Sequence, residues 1–116
     1  MQKRVFGKTG ERRRTARRSN GARAILTFER GGTVVPCAVR DFSDIGAHVQ
    51  LRRHVATPDR VYLIFPDHRR AYEADVSWRK DMALGLKFGR VIDLATDVSI
   101  DLRFLSWAAA DARKTA

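Results

Sequence analysis

Five arginines and no lysine stand in the octad Glu11-Arg12-Arg13-Arg14-Thr15-Ala16-Arg17-Arg18. A guanidinium is planar and permanently charged and donates two parallel hydrogen bonds. It therefore suits phosphate oxygens and the O6/N7 edge of guanine, and it also stacks on purine faces. Lysine would do if only charge were wanted, so its absence favours an anionic ligand recognised by shape. A second cluster, Arg40-Asp41-Phe42-Ser43-Asp44-Ile45-Gly46-Ala47, offers the complementary groups. In extended backbone Asp41 and Ser43 place their oxygens on one face, where they can accept from a guanine N1–H and exocyclic amine or hold an arginine. Gly46 is expected to supply a positive φ or to let a ligand approach the backbone closely. A plain Asx or Ser turn between two strands accounts for the same residues equally well.

Other reactive side chains do not assemble into chemistry. His48, His54 and His68 match no metal-ligand spacing, and a single cysteine, Cys37, builds neither an intramolecular disulfide nor a thiolate site. Its apolar neighbours predict a buried structural thiol. Asp41, Ser43 and His48 are the residue types of a hydrolytic triad, but one short segment does not make them converge as nucleophile, base and orienter. No glycine-rich phosphate loop is present. The pattern predicts binding without catalysis, metal or cofactor.

The charge has a location. Of a formal +10, residues 1–23 hold nine basic and one acidic group, a net +8, whereas the remaining chain carries fourteen basic and twelve acidic groups. A cationic end on a nearly neutral body points to an anionic partner such as a nucleotide, nucleic acid or acidic surface; the alternative is a solvated tail. Residues 1–22 contain little that is apolar beyond Val5 and Phe6 and are expected to form a flexible basic arm. The arm lacks the apolar core of a secretory leader, and no apolar run approaches a bilayer span, so a cytoplasmic protein without a membrane partner is expected. A chain of 116 residues has room for one core, assigned to residues 23–116.

From Ala24 onward the apolar residues recur with period two, as in half-buried antiparallel strands. Ala24, Leu26 and Phe28 form one face of a first strand, and Arg30-Gly31-Gly32-Thr33 predicts a hairpin turn into a strand from Val34 to about Asp41. There Val35, Cys37 and Val39 share a face, while Pro36 suggests an edge or a bulge. Ala47, Val49 and Leu51 alternate with a wet face that includes His48. Val61-Tyr62-Leu63-Ile64-Phe65 is apolar on both faces and should be covered twice. Tyr72, Ala74, Val76 and Trp78 alternate with polar residues, so Tyr72 and Trp78 are read as core. A turn at Lys80-Asp81 leads to Leu84, Leu86 and Phe88. Thr96 or Asp97 can cap a helix over about Asp97 to Ala112, with Trp107 expected to pack on the body. Closure removes strand edges, so the fold class is all-β: a six-stranded antiparallel barrel with a C-terminal α-helix over one opening. The first hairpin would bring the two clusters to the same end of it.

Together the clusters resemble the signature of the PilZ family, an RxxxR arm followed by (D/N)xSxxG. Here these read Arg13-Arg14-Thr15-Ala16-Arg17 and Asp41-Phe42-Ser43-Asp44-Ile45-Gly46. The likeness continues through Val76-Ser77-Trp78-Arg79 and Leu84-Gly85-Leu86-Lys87-Phe88. It implies a PilZ-like barrel that binds cyclic di-GMP, the arm folding over the barrel face, with Arg13 and Arg17 as the paired arginines and Asp41, Ser43 and Gly46 on the barrel side. Arg14 and Arg18 have the same spacing and Arg12 lies one step upstream, so neighbouring registers of the pair remain open. The resemblance further implies a sensor that relays its signal to a partner protein, as a monomer or weak dimer. Two other readings are a PilZ-like interaction module that no longer binds ligand and a basic barrel binding single-stranded nucleic acid. The last is disfavoured, because such barrels interleave aromatic platforms with basic residues on one strand face, and here the basic excess is in the arm.

Overall fold

A computed structural model describes residues 22–96 and 98–115. The predicted arm, with Arg12, Arg13, Arg14, Arg17 and Arg18, lies outside the described residues. Six antiparallel strands, β1 (Ala22–Phe28), β2 (Thr33–Phe42), β3 (Gly46–Leu51), β4 (Arg60–Phe65), β5 (Arg70–Lys80) and β6 (Ala83–Asp93), close into a barrel in the order β1-β2-β3-β6-β5-β4. The period-two alternation explains the closure. Leu26, Val35, Cys37, Val39, Val49, Val61 and Leu63 point inward and are buried. As predicted, β4 is covered on both faces, since Ile64 is also buried but belongs to a second cluster outside the barrel.

The ends are closed differently. At one, Phe42, Phe65, Tyr72 and Phe88 form an aromatic plug in which Tyr72 stacks on Phe88 with ring centroids 4.4 Å apart and Phe42 meets Phe65 edge-on at 5.2 Å. At the other, Val55 packs on the core. The loop that carries it is held by Arg79, whose guanidinium donates to the carbonyls of Thr57 at 2.9 Å and Pro58 at 3.1 Å.

Several expectations need correction. The α-helix, α1, runs from Arg103 to Thr115 and follows a short 3-10 turn at Ile100–Leu102, so it begins later than the predicted Asp97. The turn-forming acid is Asp93, whose carboxylate accepts from the Ala95 N–H at 2.9 Å, and Val98 serves as an anchor packed under the helix. The helix does not cover an opening. Leu105 and Ala109 pack on Ile25, Ile64 and Ala71, the outward neighbours of inward Leu26, Leu63 and Tyr72, so α1 lies on the outer wall. That apolar patch on the outside of the barrel fixes the helix where it is, because leaving it in water would forfeit roughly 25 cal/mol per Å². Trp107 faces away from this contact and is 71% exposed.

Pro36 is not at an edge, since a closed barrel has none. Its carbonyl accepts from the Arg52 N–H at 2.9 Å just past the end of β3. The ring nitrogen faces the same way, past the last paired residue of β3, so the missing donor falls outside the β2–β3 ladder.

Candidate functional site

The hairpin register fixes where the first strand begins. Ala22 pairs with Val39 and Arg23 with Ala38, so the chain enters β1 beside the last turn of β2. Four residues separate Arg17 from Ala22, so the two lie at most about 17 Å apart along the chain. The Asp41–Gly46 segment lies at this same end of the barrel.

That segment is built as a turn with a bulge before it. The β2–β3 ladder shifts register between Val39 and Asp41, which sets Asp41 opposite His48 on the outer face and turns Phe42 inward to the aromatic plug. Ser43 stands just past the strand. Its N–H donates to the Gly46 carbonyl at 2.9 Å, and its Oγ accepts weakly from the Ile45 N–H at 3.3 Å. The plain Ser turn is therefore present, and the side chain of Asp41 is 53% exposed beside it. Gly46 does not supply a positive φ. It is a ladder residue opposite Lys87, while the positive-φ positions among the described residues are Glu29, Arg30, Gly31, Arg69 and Asp81.

A row of side chains runs outward from Asp41 across three more strands. Asp41 pairs with His48, His48 with Gly85, and Gly85 with Trp78. His48 Nδ1 is 3.7 Å from Asp41 Oδ2, and the imidazole meets the Trp78 indole edge-on with centroids 5.2 Å apart. Trp78 lies across Gly85 so closely that a Cβ there would overlap the indole. Carboxylate, imidazole and indole thus form one half-exposed strip. Trp78 was expected in the core. A bulge between Val76 and Trp78 inserts Ser77, whose hydroxyl donates to the Gly85 carbonyl at 3.1 Å, and this reverses the parity so that the indole emerges on the outside, 45% exposed.

Beyond the strip the barrel wall is internally paired. Arg60 donates to Asp75 at 2.7 Å and to Glu73 at 3.2 Å, and Arg90 approaches Glu73 at 3.8 Å. The hydrogen bond to Asp75, followed by the two carboxylate charges, raises the Arg60 pKa. These cations are engaged with neighbouring acids. Among the described residues no group of three or more His, Cys, Asp or Glu side chains is placed to hold a metal ion, and no helix is long and apolar enough to cross a membrane.

Asp41, Ser43 and Gly46, singled out in the sequence, lie along one β2–β3 connection, and the ladders add His48 and Trp78 beside Asp41, a neighbourhood the sequence reading did not expect. The available signal was Gly85, a glycine inside an alternating strand, which marks a close approach by another group.

The closed antiparallel barrel thus carries a polar and aromatic strip across β2, β3, β6 and β5. A family model described as the PilZ domain matches residues 11–105, and the chain belongs to that family. PilZ domains are, as a class, receptors for cyclic di-GMP. No curated protein matches the chain.

Proposed function

We propose that this chain is a non-catalytic cyclic di-GMP sensor whose bound form is read by a partner protein. The observation that supports this reading is the pairing of Ala22 with Val39, which starts β1 close to the Asp41–Gly46 segment, a few residues after the arginine-rich octad in the sequence. Arg13 and Arg17, or the neighbouring register with Arg12, Arg14 and Arg18, engage the phosphates and guanine edges through bidentate donation. Asp41 accepts from a guanine, Ser43 holds the turn that presents it, and Gly46 keeps the adjoining wall free of a side chain. The exposed face of Trp78 supplies a stacking platform for one base.

The closing arm changes the charge of this barrel end, and that change is the signal offered to a partner. Asp41→Ala is the direct test. It should weaken cyclic di-GMP binding by about tenfold or more while leaving the thermal midpoint nearly unchanged, because the residue is exposed and its loss strands no buried group. Unchanged affinity in a folded Asp41→Ala protein contradicts the assignment of the site.

A further inference from the structure

His48 is placed to do more than flank the site. Its side chain is 37% exposed, so protons reach it, and it stands between the Asp41 carboxylate on β2 and the Trp78 indole on β5. The gap of 3.7 Å to Asp41 is an ion-pair distance that a small side-chain rotation closes to a hydrogen bond. From β6 the imidazole meets Gly85, with Lys87 one step along the same face; Gln50 follows it on β3, Lys80 lies beyond Trp78 on β5, and Arg40 sits at the β2 bulge. Asp41 is the acid in reach of the imidazole; Asp75, opposite Lys87, is engaged by Arg60, and Lys87, Lys80 and Arg40 are the surrounding cations.

We propose that His48 makes ligand affinity depend on pH, its imidazolium form holding Asp41 and weakening the binding of cyclic di-GMP. The inference rests on the proposed function and deepens it. An imidazolium donates to the carboxylate oxygen that a guanine N–H would otherwise occupy. The neutral imidazole does not compete in this way, and affinity rises as the proton leaves.

Two measurements on the intact chain test this. With Trp107→Phe, Trp78 is the single tryptophan, and protonated imidazole beside an indole quenches its emission. Emission of the free protein should fall from about pH 8 to about pH 6 and stay level when His48→Gln is added. Over the same range the dissociation constant for cyclic di-GMP should rise severalfold, and His48→Gln should abolish the rise. His54→Gln should leave both profiles as they are. An equal pH slope in the His48→Gln protein, or an indole emission indifferent to residue 48, overturns the proposal while the binding function stands. Absence of binding at either pH overturns both.

Discussion

Trp78 lies across the Cα of Gly85, in the space that any larger residue at position 85 would need for its side chain. The relationship spans β5 and β6 and holds the indole against the outer wall in line with His48 and Asp41. Gly85→Ala should therefore lift the indole off the wall without touching the inward residues Leu84 and Leu86. The expected result is a shifted Trp78 emission, a folded barrel, and cyclic di-GMP binding weakened by about fivefold to a hundredfold, the range of one base–aromatic stack of roughly 1–3 kcal/mol. A displaced indole with unchanged affinity would remove Trp78 from the site.

The arginine pair separates geometric recognition from attraction. Arg13→Ala or Arg17→Ala should each cost roughly 1.5–3 kcal/mol, a loss of about ten- to a hundredfold in affinity. Arg17→Lys should also weaken binding, because an ammonium keeps the charge and loses the planar fork. Arg4→Ala, outside the motif, should cost only a modest salt-dependent amount. Equal losses at Arg4 and Arg17, both erased by moderate salt, would make the arm a general anion binder and favour the nucleic-acid reading.

Cys37 points into the barrel and is 1% exposed; burial pushes its thiol up to about 12, against a smaller opposing effect of Arg52. Its native pKa lies above that of the unfolded thiol, so the fold gives nothing up while both forms stay protonated. As pH rises past the ordinary value of 9.0, the unfolded chain releases this proton first and stability falls. Urea midpoints should therefore decline more steeply above about pH 9 in the native sequence than in Cys37→Ala. Thiol reagents at neutral pH should label the protein only after denaturation. Rapid labelling of the folded protein would contradict the buried position.

The β1–β2 hairpin stores backbone strain. Glu29 and Arg30 have φ of 58° and 52°, in the left-handed region that side chains disfavour, followed by Gly31 at 88°. Glu29 has a reason to stay, since its Oε1 accepts from the Thr33 hydroxyl at 2.7 Å. Arg30→Gly should raise stability by about 0.5–1 kcal/mol, seen as a higher thermal midpoint. A lower midpoint would show that the Arg30 side chain contributes more than its backbone costs.

The barrel was legible because period-two alternation with one buried face leaves a strand little choice of register, as Val35, Cys37 and Val39 or Ala47, Val49 and Leu51 illustrate. Alternation cannot reveal a bulge, and one inserted residue, Ser77, was enough to move Trp78 from the expected core to the surface. Leu105 and Ala109 stand four positions apart on one face of α1, but the surface they meet is formed by Ile25, Ile64 and Ala71 on three different strands, whose adjacency exists only after the barrel closes. The same holds for the site. Asp41, Ser43 and Gly46 share one local segment and could be picked out together, whereas His48, Gly85 and Trp78 join them through ladder pairings that the linear order does not contain.

The central claim is that the barrel and its arginine-rich segment recognise one guanine dinucleotide. Calorimetric titration of the whole chain with cyclic di-GMP, against GTP and a short single-stranded oligonucleotide, tests it most directly. The account predicts saturable binding of cyclic di-GMP that survives moderate salt and is weakened by Asp41→Ala and Arg17→Ala, with little heat from GTP. Tighter binding of the oligonucleotide, lost as salt is raised and indifferent to Asp41, would contradict it.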